Sequence, residues 1–524
     1  MPTPVNLPNV TIRTQGFMGG VNIRDAVNLM APNETRPMEN IVLDERGGGS
    51  KRRGTLSVGP FGTANARVLS MYTFMRGAVT PPQVLIHTTD GKLLYTTAPD
   101  ANPVVWAQAA TGLSTTVPLS YETYIGKCYM GNGIDHYCSW DGATFTPFPS
   151  APRGKYHRLW KERMWISGVT GLNDRIYASD EGTAEVFTIS NWVDIAAGDG
   201  DHIRALATDG QFLVVGKREM THVIYDPVEF FNRVVDFEKG FESHFAVAHY
   251  DAALYFISRR GICQYLGDSP SVVLSERIDP VFIPDFAAID LLEGATSYTF
   301  LNRIGFTIPE TGSNRNSFVI EYYPRLGSLS MMGSRMIGPF SFHRMPVHCF
   351  TRWRWGQSDI LFAGHNQANK MVECFAPVGT DDGEPFQAVL QTAWFDFSAP
   401  LLTKYLRELR LLCGGRFQVL IYRNFEESVY RTITVDASGI QDIWNVADDK
   451  WGEGNWGKND PVRDIRKTNI DAYGRYFSFR FQDSFETDTN FQTFWIGSHG
   501  RDLTVGEWAI YGLVADGTVL GKRP

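Results

Sequence analysis

The chain has 524 residues, of which 43% are hydrophobic, 13% aromatic and 20% charged, with 50 Gly, 27 Pro and a formal net charge of −8. That length allows more than one domain, and the composition is globular and leans towards strands and turns. The acidic balance excludes a chain that grips nucleic acid through a broadly basic surface, although an acidic wall can surround DNA without holding it.

The first residues, MPTPVNLPNVTIRTQG, have no charged segment leading into an apolar one, so no secretory signal is expected. No stretch reaches the roughly 20 apolar residues of a membrane helix, and folding in a cytosol is expected. Residues 16–54, GFMGGVNIRDAVNLMAPNETRPMENIVLDERGGGSKRRG, are too patterned for a disordered tail and too poor in apolar residues for a core. They read as an extended arm, with Phe17, Ile23 and Leu43 as anchors against a neighbouring chain or a connector.

Seven units of strand, polar turn and strand follow, at residues 83–97, 123–148, 158–180, 203–226, 245–267, 297–324 and 347–377. Asp90-Gly91 predicts a tight type I′ bend, and Asn132-Gly133 and Asp141-Gly142 repeat the signal. In each unit the second run ends in an aromatic: Tyr95, Trp140, Tyr177, Tyr225, Tyr265, Tyr322 and Phe375. The spacing is that of propeller blades, which bury both faces of their sheets by closing into a ring. Residues 65–380 therefore predict a β-propeller of six to eight blades, with 268–296 and 325–342 as insertions.

Turn residues and charge at 376–384 predict a linker. Beyond it, 391–425 gives three strand-like runs, 475–483 alternates with period two, and the last residues are again extended. Leu402, Tyr405, Leu406 and Leu409 have helical spacing, but a strand mirrored across Gly414-Gly415 fits the neighbouring runs better. These pieces predict a C-terminal β-sandwich of jelly-roll type. The fold class is thus all-β, with an N-terminal arm and assembly segment (1–64), a propeller (65–380) and a sandwich (381–524).

Motifs of catalysis are sparse. Gly47-Gly48-Gly49 lacks the spacing of a phosphate loop, and there is no His-Glu-x-x-His motif or Gly-x-Ser-x-Gly elbow. Asp180-Glu181, Asp199, Asp201, Asp448-Asp449 and Asp488 are candidates for a glycosidase pair, but turns explain them adequately. GDGDH (198–202) resembles part of a calcium loop without its ligand spacing or terminal Glu, and reads better as a turn before a blade strand. Lys51-Arg52-Arg53 is expected to lie in a solvated turn or to pair with acidic residues of a neighbouring chain, phosphate contact being the alternative. Trp451 and Trp456 fit either a stacking surface or an interface loop. Cys128, Cys138, Cys263, Cys349, Cys374 and Cys413 form no CxxC pair and read as buried reduced thiols. No catalytic residue, cofactor or metal is expected, and the chain is not expected to be an enzyme.

The order Phe17-x-Gly19-Gly20-Val-Asn-x-Arg24-Asp25, Leu29-x-x-Pro32-x-Glu34, Glu39-Asn40-x-x-Leu43-Asp44, Gly47 to Gly49 and Arg52-Arg53-Gly54 resembles the start of the hub or nozzle proteins of short-tailed bacteriophages, also called tail tubular proteins. The family pattern ends Arg-Arg-Pro-Gly, whereas here Gly54 follows Arg53 directly. Residues 394–415 resemble that family's step from propeller into sandwich. The resemblance implies a non-enzymatic virion protein made in the host bacterial cytoplasm. It implies six copies ringed around the DNA exit channel, with roles in genome retention and ejection. Implied partners are connector or adaptor proteins, a tail fibre or spike, and double-stranded DNA in passage, with no membrane anchor. The alternatives are a carbohydrate-binding or carbohydrate-cleaving propeller at a tail tip, and a receptor-binding tail protein without a channel role. An arm without a core of its own further predicts that removing residues 1–54 leaves a folded monomer.

Overall fold

The computed structural model describes residues 9–14, 16–45, 47–77, 79–101, 103–267, 269–326, 328–329, 336–437, 464–483 and 509–519. Among the described residues strands dominate, and the helical pieces are short 3-10 turns at Glu276–Phe282, Ile289–Gly294 and Pro324–Leu326. The chain divides into two units. One is Thr55–Glu321 with Arg344–Ala376, and the other is Met1–Gly54, Tyr322–His343 and Pro377–Pro524.

The first unit is a β-propeller. Five four-stranded antiparallel sheets follow one another, opening with Val68–Phe74, Ser120–Tyr124, Tyr156–Trp160, Ile203–Thr208 and Val247–Tyr250. A sixth small sheet holds Val347–Trp355, Ser358–His365 and Met371–Ala376. The six small sheets form a ring. Strands Thr296–Phe300 and Arg303–Pro309 fill the interval before the last sheet, the first of them packing on both Val247–Tyr250 and Val347–Trp355. The six blades lie at the lower end of the six to eight expected, and the sequence unit at 297–324 joins the large sheet rather than forming a blade of its own.

Each blade is covered on both faces, so its middle strands are apolar runs rather than alternating ones. Gln83–Thr88 is buried at every position. Leu85 and Leu93 of the first sheet meet Cys128, Met130 and Trp140 of the second. Trp160, Trp165 and Ile176 of the third meet Leu206, Leu213 and Val215 of the fourth. The Trp140 indole N–H donates to Gln83 Oε1 at 2.8 Å, which satisfies a buried polar atom across a blade boundary.

A turn and a strand pairing differ from expectation. At the first hairpin only Gly91 has positive φ (+74°), and Gly91 N–H donates to Thr88 O. This is the longer turn that ends in a left-handed glycine, not a two-residue type I′ bend. A Cβ on Gly91 would also lie 2.6 Å from Leu113 O. Strand Gly54–Ser57, ahead of the predicted propeller start at 65, pairs with the last sheet, so an N-terminal strand closes a blade made from the far end of the unit.

In the second unit, Lys404–Arg423 is one strand of 20 residues, not two runs mirrored across Gly414-Gly415. Its first half pairs with Asp464–Gly474 and Ala509–Val519. Its second half pairs with Arg431–Ala437 and Phe477–Gln482. Gly415, at φ +81°, sits at the handover. A strand that passes from one sheet to another in this way makes the corner of a sandwich. Leu409, Leu411, Phe417, Val419 and Ile421 are buried along it, with Phe479, Phe481 and Leu513 on its partners.

The N-terminal segment is extended, but it does not project as an arm. Glu34–Glu39 pairs with Val389–Thr392, Gly49–Lys51 with Ala509–Val519, and Asn9–Thr14 with the same C-terminal strand. Phe17, Met38 and Ile41 are fully buried and Leu43 nearly so, while Ile23 is half-buried. The segment lacks a core of its own because it borrows that of the chain's last third. Tyr322–His343, which takes in the 325–342 stretch read as a propeller insertion and the end of the 297–324 unit, belongs to this unit as well.

Candidate functional site

Two places concentrate chemistry, one in each unit. The first is the N-terminal motif. Asn22 is fully buried, and its amide donates to Asp25 Oδ2 and Glu34 Oε2, both at 2.8 Å. Glu34 Oε2 also accepts from Ala31 N–H at 2.8 Å, and Asn22 Oδ1 accepts from Asp25 N–H. The glycine pair lets this loop close: Gly20 has φ +66°, and a Cβ on Gly19 would lie 2.6 Å from Glu34 Cγ. Asn40, in the left-handed region at φ +57°, donates its side-chain amide to Gln387 O at 2.7 Å and accepts from Arg52 Nε at 2.9 Å.

Two of the three residues of the basic run, Lys51 and Arg52, are paired with acids of the same chain. Arg52, with a fully buried side chain, makes a two-pronged contact with Asp381, and its guanidinium lies 3.8 Å from the Phe386 ring centre. Lys51 Nζ is 3.2 Å from Asp483. Burial demands such partners, because an unpaired charge out of water is costly. The sequence could not show this, since the acids lie more than 300 residues away.

The acidic candidates sort into structural roles. Lys217, fully buried, directs its ammonium at Asp199 Oδ1 (2.7 Å) and Oδ2 (2.8 Å), Asp174 Oδ1 (3.1 Å) and Ala196 O (3.1 Å). The loop that resembles a calcium site therefore already holds a cation of its own, and Asp201 caps Arg218 N and Glu219 N. The turn reading of 198–202 holds. Asp180 accepts from Thr188 and Asn191, and Glu181 is an exposed partner of Arg163. Asp448, Asp449, Asp488, Trp451 and Trp456 lie outside the described residues. No group of three or more His, Cys, Asp or Glu able to hold a metal occurs among the described residues. All six cysteines are buried and unbridged, and burial pushes the Cys263 and Cys349 thiols up to about 12.

The second place is a cavity of about 520 Å³ among the first strands of the blades, which sequence reasoning missed. Its wall is knitted by contacts between blades. Ser70 Oγ lies 3.0 Å from Tyr121 OH, Ser120 bonds His157, and Thr296 Oγ1 donates to His348 O at 2.8 Å. Arg67, Arg158 and Arg315 line it with His244 and His348, and among the described residues no Asp or Glu does. Arg158 is answered from outside the lining by Glu122 at 2.8 Å. Burial holds His244 and His348 below the usual imidazole range, so both are neutral at pH 7. Among the described residues, Arg67 Nε is buried without a hydrogen-bond partner, while His348 bonds the Val68 backbone and the Asn366 side chain.

No family model and no curated protein matches the chain. Solved structures with similar coordinates include the computationally designed Ika8 protein, at 10% identity and a TM-score of 0.37, covering 61% of this chain and 99% of that one. BBS1N, from its crystal structure in complex with ARL6DN, aligns at 13% identity and a TM-score of 0.39, over 62% of this chain and 98% of that one.

Proposed function

We propose that the chain is a non-enzymatic structural subunit of a bacteriophage tail, of the nozzle or hub class. In this reading it assembles as a ring, six copies around the DNA exit channel, between connector proteins and a tail fibre or spike. The observation that supports it is the use made of the N-terminal motif. The residues by which the opening resembles that class are built into two networks: the glycine pair with Asn22, Asp25 and Glu34 closes a loop, and Asn40 with Arg52 forms a joint. That joint ties the start of the chain to its last third, through Asp381 and the Gln387 carbonyl. A motif of that kind carries architecture rather than chemistry, which suits a part that must hold its shape while a genome passes. Leu29, 74% exposed beside the joint, offers an apolar point for a neighbouring copy.

Native mass spectrometry of the purified full-length chain, alone and with connector proteins, tests the reading. A closed oligomer of six supports it. A chain that stays monomeric under both conditions while binding a glycan array would overturn it in favour of a carbohydrate-binding propeller.

A further inference from the structure

The propeller cavity carries an inference independent of the assembly reading. Its size falls in the range of small-ligand sites. Among the described residues its lining holds three guanidinium groups and no carboxylate, although the chain as a whole is acidic. One of those groups, Arg158, is neutralised by Glu122. Arg315 donates only to a neutral acceptor there, the Asn366 carbonyl at 2.8 Å, and Arg67 Nε has no partner among the described residues. Arg67 lies near His348, which bonds the side chain of Asn366, the residue whose carbonyl Arg315 meets. Two arginines set just ahead of the strands Val68–Phe74 and Asn316–Tyr322, one of them with an unmet Nε, are arranged for a counter-charge that the described residues do not supply.

We propose that this cavity binds a small ligand through a phosphate or carboxylate group, held between Arg67 and Arg315. The planar guanidinium fork suits either oxyanion, and the neighbouring Asn314 and Thr116 add polar groups at the rim. The neutral histidines leave recognition to the arginines at pH 7.

The experiment uses the full-length chain at constant ionic strength, with inorganic phosphate followed by ³¹P line broadening and citrate followed by saturation-transfer proton spectra. The two arms separate a phosphate ligand from a carboxylate one. Saturable binding in either arm is expected, weakened about 10-fold by Arg67→Gln or Arg315→Gln, as befits one charged hydrogen bond each. Arg354→Gln, on the exposed partner of Asp359, is expected to change nothing. Should a cavity variant fail to fold, phenylglyoxal labelling of the unaltered protein gives a second readout. Phosphate or citrate is then expected to protect Arg67 and Arg315 and to leave Arg354 reactive. Absence of saturable binding in both arms, or binding that survives both cavity variants, or labelling of Arg67 and Arg315 that neither anion slows, overturns the proposal.

Discussion

Arg52→Met removes the guanidinium that joins the start of the chain to its end. The side chain is fully buried. It contributes the contact with Asp381, a hydrogen bond from Nε to Asn40 at 2.9 Å, one to Arg53 O at 3.1 Å, and a ring contact with Phe386. Methionine keeps most of the volume and loses the charge. Asp381, whose side chain is 15% exposed, is then left without its cation, and Asn40 Oδ1 loses its donor. Breaking a buried pair from one side costs about 3–5 kcal/mol, and the partial exposure of Asp381 places the expectation at the lower end, about 3 kcal/mol. The unit built from Met1–Gly54, Tyr322–His343 and Pro377–Pro524 has its own core, so the loss is expected in that unit's transition and not in the propeller's. Urea unfolding followed by hydrogen exchange with mass spectrometry resolves the two. Replacing both partners, Arg52→Met with Asp381→Leu, is expected to recover at least half of the loss, because no charge is left unpaired. A loss below about 1 kcal/mol for the single variant, or a loss confined to propeller peptides, would refute the argument that the motif is an internal joint.

Lys217→Met leaves Asp199 and Asp174 facing each other without their cation, and a cost of about 2–4 kcal/mol in the propeller is expected by the same measurement. Burial lowers His87 to about 4 and His157 to about 3, against about 6.5 for an unfolded chain. Between those values the unfolded state binds more protons, so stability is fully present above pH 6.5 and falls as pH drops towards 4. The two groups account for about 2–3 kcal/mol each between pH 7.5 and 4.5, read by denaturant midpoints across that range. Deleting residues 1–54 removes strands from both sheets of the sandwich. The product is expected to lose protection along Lys404–Arg423 by hydrogen exchange, contrary to the folded monomer that a free arm implies. Duplex DNA binding by the isolated protein is expected to be weak at physiological salt, since two of the three residues of the densest basic run are spent on Asp381 and Asp483. Submicromolar, strongly salt-dependent binding in a fluorescence anisotropy titration would contradict this.

What could be read from the sequence was local. Six of the seven strand-turn-strand units fall on the six small sheets, because a run of buried strand residues ended by a polar turn fixes a hairpin wherever it lies, while the unit at 297–324 joins the large sheet instead. Preferring a strand over a helix at Leu402 to Leu412 held for the same reason, the neighbours being extended. Long-range pairing left no such trace. Gly54–Ser57 has too few residues to announce a blade strand, and nothing in Lys51-Arg52-Arg53 names partners at Asp381 and Asp483. The 20-residue strand was split in expectation because Gly414-Gly415 signals a turn, whereas here Gly415 supplies a bend between two sheets. The cavity was invisible because Arg67, Arg158 and Arg315 come from distant stretches of the chain and converge only when the ring closes.

Electron cryo-microscopy of phage particles that carry the chain tests the central proposal most directly. The account predicts six copies in a closed ring on the tail axis, with the propeller and sandwich of each copy in the wall of a channel through which DNA leaves. Copies scattered on the outside of the tail, or particles that assemble and eject DNA without the chain, would contradict it.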